Sequence, residues 1–186
     1  TLAGYEVQST LSLVDWFSQG ESPLPIALFG YGEGGQLALF AAGLDPRIDA
    51  TCVSGFFGPR EETWAEPVDR NFAGLLKDFG AVELAMLVAP RHLIVESATG
   101  PEVNLDGNGG APGRLITPDV AAIEALVRET ARRTTSIGTF IELHRPTEGH
   151  FGAIETLNAL LKGLNQPSTV EATTKEVIAG SNASVL

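Results

Sequence analysis

The stretch PIALFGYGEGGQLALFAAGLD, residues 25–45, decides how the rest of the chain is interpreted. It begins with a continuous apolar run, residues 25–29, which is typical of a central strand in a parallel sheet. Glycines crowd the next six positions, and an apolar segment over residues 36–43 follows. Gly43 and the Asp45-Pro46 pair then end that segment. The pattern predicts a buried strand, a tight turn and a helix.

The same alternation continues along the chain. Apolar spacing predicts helices over residues 5–18, 36–43, 117–134 and 153–164, and strands over residues 25–29, 49–57, 92–96 and 137–143. Residues 58–89 are mixed and partly helical, and residues 97–116 are predicted to form a long loop. Thr117 is predicted to cap the third helix, with Pro118 at its first position. Alternating strands and helices predict an α/β fold, a parallel sheet sandwiched by helices.

Length and composition limit the possible functions. A chain of 186 residues is long enough for one domain with a sizeable core. Its net charge of −11 argues against nucleic acid as a partner, because phosphate binding needs a basic surface. The single cysteine, Cys52, excludes an internal disulfide and is expected in the core. No apolar run reaches the roughly 18 residues that a membrane span needs, so we expect a soluble protein.

Two kinds of site are built as a strand, a glycine-rich turn and a helix. One is the phosphate loop of a dinucleotide-binding domain, G-x-G-x-x-G, which residues 30–35 fit. That fold also needs an acidic residue at the end of the next strand, about 20 residues on. Asp49 lies at the right count but at the wrong end of the strand. A dinucleotide-binding module therefore remains only a second alternative.

The other kind of site is the nucleophile elbow, G-x-S-x-G, which is followed along the chain by an acid and a histidine at the ends of later strands. This chain has the turn after its first strand, a long loop after its third, and Gly149-His150 after its fourth. Over about residues 5–164 it resembles the esterase and dienelactone-hydrolase branch of the α/β-hydrolase superfamily. The resemblance implies a partial α/β-hydrolase fold made of its last four strands.

The resemblance also implies where catalytic residues would stand. The serine position falls on Gly32, the acid position on Gly100 and the histidine position on His150. Glu33 falls on the position whose backbone N–H usually contributes to the oxyanion hole. The usual mechanism needs a hydroxyl nucleophile and an acid that orients the histidine, and glycine supplies neither. We therefore expect a domain that has lost the serine and aspartate and is retained for binding or scaffolding, rather than an enzyme.

The alternative is an active carboxylic-ester hydrolase. Glu33 would then act as nucleophile or base together with His150, and Glu96 or Glu102 would replace the lost acid. A simpler interpretation places Glu33 at a helix N-terminus, where the dipole stabilises a carboxylate, and makes His150 a structural residue. The position of Glu33 relative to His150 separates these hypotheses. No cofactor and no metal are expected, because the histidines lack ligand spacing.

A charged and aromatic group of residues follows the second strand. Its members are Arg60, Glu61, Glu62, Trp64, Glu66, Asp69 and Arg70. They lie within residues 56–89, where hydrolase folds often insert a cap over the sheet. The group either forms a solvated surface or covers a pocket, since pockets in such sheets lie at the carboxyl ends of the strands.

Residues 1–164 are predicted to be the C-terminal part of a hydrolase-like domain, and residues 165–186 a tail. The first strand would then be an apolar edge, and such edges invite association. We expect its partner to be the N-terminal half of the same fold, on the same or another chain. A small-molecule ester is the other candidate partner.

Overall fold

The computed structural model describes residues 2–20, 24–70, 72–105, 107, 113–138 and 140–165. The strands are β1 (Ile26–Tyr31), β2 (Ile48–Ser54), β3 (His92–Glu96), β4 (Val103–Leu105), β5 (Gly113–Leu115) and β6 (Ile141–His144). The helices are α1 (Leu2–Phe17), α2 (Glu33–Leu44), α3 (Leu75–Asp78), α4 (Ala81–Met86), α5 (Val120–Arg133) and α6 (Ile154–Gly163). Residues 166–186 of the predicted tail lie outside the described residues.

Within the described residues, β1, β2, β3 and β6 form one parallel sheet in that order, with β1 at an edge. The register places alternate side chains on opposite faces. Val53, Leu93 and Val95 point into the main core together with residues of α1, α2, α4 and α5. On the other face, Gly163 of α6 lies against Ala50 and His92. The predicted class, a parallel sheet sandwiched by helices, is confirmed.

Several local predictions need correction. The strands predicted over residues 49–57 and 137–143 are observed over Ile48–Ser54 and Ile141–His144. The predicted loop over residues 97–116 contains a short antiparallel pair, β4 with β5, whose three-residue strands are too short to give a periodic signal. Helix α5 begins three residues later than predicted. Asp119, and not Thr117, is its N-cap, and its Oδ2 accepts a hydrogen bond from the Ala122 backbone N–H at 3.0 Å. The Thr117 hydroxyl instead accepts a hydrogen bond from the Gly100 N–H at 3.1 Å.

The parallel direction of the four strands brings their carboxyl ends to one edge of the sheet. The turn into α2, the segment after β2 and the segments after β3 and β6 therefore meet there, which is where ligands bind in open α/β sheets. In the described part of the chain, no helix combines the length and apolar character needed to cross a bilayer.

Candidate functional site

The turn between β1 and α2 is built around Gly32. Its backbone angles are φ 55° and ψ −119°, and its N–H donates to the Ser54 carbonyl at 2.9 Å. A positive φ with this ψ is strained for any residue with a side chain. The turn is also tight at Gly30, where a Cβ would lie 2.0 Å from the Gly34 carbonyl oxygen. The chain thus makes the sharp strand-to-helix turn that a nucleophile elbow requires.

The space in front of Gly32 is occupied by Pro101. A Cβ built on Gly32 would lie 2.8 Å from Cγ and 2.9 Å from Cδ of the Pro101 ring. These separations are well inside the carbon–carbon contact distance of about 3.5–4.0 Å. A side chain at the tip of the turn would therefore have to displace the proline ring.

The backbone at Gly100 is packed just as closely. A Cβ on Gly100 would lie 2.4 Å from the carbonyl oxygen of Gly55. Gly55 itself has φ 60°, and a Cβ there would lie 3.0 Å from the Gly100 Cα. The segments after β2 and β3 touch through these two glycines, so no side chain fits at the predicted acid position without moving one of them.

Glu96 ends β3 and is buried, with 1% of its surface exposed. Its Oε2 accepts hydrogen bonds from the Ser54 hydroxyl at 2.5 Å and from the Gly152 N–H at 2.9 Å. Its Oε1 accepts from the Ala153 N–H at 3.0 Å. The carboxylate therefore ties β2 and β3 to the backbone that enters α6.

His150 points away from this cluster. Its side chain is 82% exposed, and its Nε2 lies 3.7 Å from Glu148 Oε2. Glu33 is half-buried in the first turn of α2. Within the described residues, no hydrogen bond or ion pair joins Glu33 to His150. Glu102 is exposed and accepts a hydrogen bond from the Thr117 N–H at 3.3 Å. Among the described contacts, none joins any two of the four candidate side chains, which are those of Glu33, Glu96, Glu102 and His150.

Aromatic packing fixes the loop around His150. The Tyr31 hydroxyl donates to the Thr99 carbonyl at 2.9 Å, and the Tyr31 ring stacks on Phe151 with centroids 4.4 Å apart. Phe151, and not His150, is therefore the neighbour of the β1–α2 turn. Neither this stack nor the contact of Pro101 with Gly32 was predicted from the sequence, since each joins residues that are far apart in the chain.

A cavity of about 350 Å³ opens beside Gly55 and Pro101. Its lining includes Arg60, Glu61, Glu62, Glu66 and Arg70 from the charged group that follows β2. Pro101 is shared with the space in front of Gly32, but Glu33, Glu96, Glu102 and His150 are not among the lining residues. The charged group therefore lines a pocket, which is one of the two possibilities left open by the sequence. The role of residues 56–89 as a cap insertion stays a prediction.

Two charged side chains lie deep in this cavity. Arg60 is 7% and Arg70 is 5% exposed. The Arg60 guanidinium carbon lies 5.2 Å from the centroid of the Phe56 ring, and burial lowers the pKa of Arg60. Arg70 Nε is 3.6 Å from Glu66 Oε2, too far for a hydrogen bond. Among the described residues, no hydrogen bond is made by the Arg60 guanidinium, so its N–H groups remain available as donors to a ligand of the cavity.

Asp49 bears on the dinucleotide alternative. It lies at the amino end of the sheet, where its Oδ2 accepts a hydrogen bond from the Ile26 N–H at 2.9 Å. Because the glycine-rich turn is at the opposite end of β1, Asp49 does not face it. Among the described residues, no group of three or more histidine, cysteine, aspartate or glutamate side chains is placed to hold a metal ion.

No protein-family model matches the chain, and a search of curated proteins found no relative. Among solved structures, a glucuronoyl esterase from Solibacter usitatus matches with a TM-score of 0.61 at 15% identity, over 88% of this chain and 48% of that one. A CE15 glucuronoyl esterase from Teredinibacter turnerae matches with a TM-score of 0.60 at 14% identity, over 86% and 45%. The fold is a partial α/β-hydrolase fold.

A carbohydrate esterase family 15 glucuronoyl esterase from Caldicellulosiruptor kristjansonii agrees, with a TM-score of 0.58 at 13% identity. It is matched over 91% of this chain and 53% of its own. The chain thus spans about half the length of these esterases. The predicted resemblance to α/β-hydrolases of the esterase type is confirmed at the level of the fold.

Proposed function

We propose that this chain is an α/β-hydrolase-like domain that has lost the serine and aspartate of the triad and acts by binding. The contact between Pro101 and Gly32 carries the proposal. An α/β-hydrolase presents its nucleophile at the strand-to-helix turn, and here a proline ring fills the space into which that side chain would project. Open space in front of Gly32 would instead have left room for a serine side chain, and the contact would then not have supported a lost nucleophile.

Two further features support the proposal. The close contact of Gly100 with Gly55 leaves no room for an acid, and the His150 side chain faces solvent. General acid–base catalysis needs the base within about 2.6–3.2 Å of the group that it serves. The cavity lined by Arg60 and Arg70 remains, so the binding part of a hydrolase site persists without its reacting groups.

We also propose that the N-terminal half of the same fold, from the same or another chain, covers the β1 edge. Apolar side chains are exposed along it, among them Leu13, Phe17, Leu24 and Phe29. Long apolar edges left in water are sites of strand pairing and association. That the esterases of similar fold are about twice as long supports the same proposal.

An aryl-acetate assay tests the proposed loss of catalysis. We expect hydrolysis by the wild-type chain to equal the buffer rate, and Glu33→Gln and His150→Ala to leave it unchanged. Glu155→Gln and His144→Ala are matched controls, since each alters the same residue type outside the four candidate catalytic residues. A rate well above buffer that both Glu33→Gln and His150→Ala abolish, with both controls active, contradicts the proposal and establishes the carboxylate–histidine hydrolase instead.

A further inference from the structure

We propose that the cavity beside Pro101 binds a small organic monocarboxylate with an apolar body, held through Arg60 and Arg70. This inference deepens the proposed binding function and rests on it. The cavity volume of about 350 Å³ lies within the usual range of small-molecule sites, roughly 300–1,000 Å³.

Two arginines that line the cavity are buried without a full set of hydrogen-bond acceptors among the described residues. Among the described residues, the guanidinium of Arg60 makes no hydrogen bond and lies over the Phe56 ring. Arg70 Nε is buried with no acceptor within hydrogen-bond distance. Buried charged groups are normally paired and hydrogen-bonded, because an unpaired one loses its hydration without replacement. Two such arginines at one cavity point to an anion as the missing partner.

The charge of the cavity floor fixes the charge of the ligand. Among the described side chains, Arg60 and Arg70 are buried at the cavity and the half-buried Glu66 lies 3.6 Å from Arg70, so these three groups carry one net positive charge. Glu61, Glu62 and Asp119 are exposed at the rim and are negative. An anion with several charges is repelled by this rim, whereas a single carboxylate reaches the two guanidinium groups. Arginine favours this geometry because its planar fork matches a carboxylate.

The remaining wall selects an apolar body. Phe56, Leu115, Ile116 and Pro118 contribute hydrocarbon surface to the lining. A ligand with a ring or short alkyl chain next to its carboxylate therefore removes apolar surface from water while its charge meets the arginines.

Titration calorimetry of the 186-residue chain with benzoate, and with benzamide as the neutral isostere, tests the inference. We expect benzoate to bind at least about tenfold more tightly than benzamide, because charge-assisted hydrogen bonds are about twice as strong as neutral ones. Arg60→Met and Arg70→Met should each weaken benzoate binding about tenfold or more. Glu66→Gln should tighten it, since it removes the competing carboxylate. Arg128→Met, an arginine with 78% side-chain exposure on α5, should change nothing.

Several outcomes overturn the inference. The first is that benzoate binds no more tightly than benzamide, or that neither binds. The second is that inorganic phosphate binds where benzoate does not. The third is that Arg128→Met weakens benzoate binding as much as Arg60→Met does. If Arg70→Met does not fold, the inference is still tested by Arg60→Met, by Glu66→Gln and by the comparison of benzoate with benzamide. If the chain neither hydrolyses the ester nor binds benzoate, this inference is wrong while the proposed loss of catalysis still stands. Ester hydrolysis that depends on Glu33 and His150 removes the proposed function, whatever benzoate does.

Discussion

At the scale of single residues, Gly32 combines two constraints that act in the same direction. Its positive φ disfavours any side chain, and the Pro101 ring fills the volume that a side chain needs. Active hydrolases tolerate the first constraint because the fold over-determines the strained turn. The second constraint leaves no space for a nucleophilic side chain, so the strained backbone would serve no catalytic purpose here. Glycine relieves both constraints, and under the proposed loss of catalysis the turn keeps its shape without a reacting group.

We expect Gly32→Ser to destabilise the fold by about 1–3 kcal/mol through backbone strain, with a further cost from the clash. Pro101→Ala removes the Cγ and Cδ that would collide with the new side chain. The double variant should therefore recover part of the loss, which urea unfolding of both single variants and the double variant measures. Gly34→Ser is the matched control, because a Cβ there meets nothing within 4 Å. Equal unfolding free energies for Gly32→Ser and Gly34→Ser would contradict the expectation.

At the scale of secondary-structure elements, Glu96 connects β2, β3 and the entry to α6. All three of its hydrogen bonds are accepted by the carboxylate. In Glu96→Gln, the amide NH₂ must face a donor, so at least one backbone N–H is left unsatisfied. We expect a loss of about 1–3 kcal/mol in the free energy of unfolding.

Hydrogen exchange locates this effect. At least one of the Gly152 and Ala153 amides should lose protection in Glu96→Gln, whereas both should keep it in Ser54→Ala, which removes only the hydroxyl donor. Glu102→Gln serves as a control at an exposed carboxylate. Unchanged protection of both amides in Glu96→Gln would show that this carboxylate does not hold the α6 entry.

A second element-scale contact links α1 to the start of β2. The Arg47 guanidinium contacts Asp45 Oδ2 at 2.5 Å and Asp15 Oδ1 at 2.6 Å. The hydrogen bond from the Arg47 side chain is the main cause that lowers the pKa of Asp45 in the fold. The stabilisation from Asp45 is therefore full above its unfolded pKa of about 3.9 and is lost as pH falls through the lower folded pKa.

We expect Arg47→Gln to reduce stability at pH 7 and to flatten the loss of stability on acidification below about pH 4. Urea unfolding at a series of pH values measures both effects. Arg132→Gln is the control, because its partner Glu129 has a pKa lowered to about 2 yet the pair is exposed. Solvent screens such pairs, so the control should change little. A pH profile for Arg47→Gln parallel to wild type would refute the expected linkage.

The elements differ in how far the sequence predicts them. Strand β3 was predicted with its observed ends, since its apolar run is bounded by Pro90 and a loop. The β4–β5 pair was missed because three residues show no periodicity. The glycines at the predicted serine and acid positions were visible in the sequence. The Pro101 contact was not, because it joins residues far apart in the chain through the closure of the sheet.

At the scale of the whole molecule, the two edge strands of the described sheet differ in the apolar side chains that are exposed next to them. Strand β6 is the other edge of the described sheet, and it is followed by a helix that packs back on the sheet. Beside β1 the side chain of Leu24 is exposed near Phe17 of α1, and the side chain of Phe29 is exposed on the opposite face of the strand. A net charge of −11 opposes association in general, but it does not cover an apolar edge.

We therefore expect the 186-residue chain to self-associate through the β1 side when nothing else covers it. Leu24 and Phe17 are 79% and 57% exposed, so replacing both by lysine costs the fold little and adds charge to the edge. Each apolar side chain fully buried in an interface contributes about 1.5–3 kcal/mol. Sedimentation velocity over a concentration series should show the association midpoint of Phe17→Lys/Leu24→Lys raised by about tenfold or more.

Leu105→Lys is the matched control, since Leu105 is 61% exposed on β4 and away from the edge. It adds the same charge as either substitution and should leave the midpoint nearly unchanged. If the chain is monomeric at every concentration, the β1 side needs no cover and the proposed missing half loses its physical basis. If Leu105→Lys raises the midpoint as much as the paired substitution does, the effect is not specific to the β1 edge and the expectation is wrong.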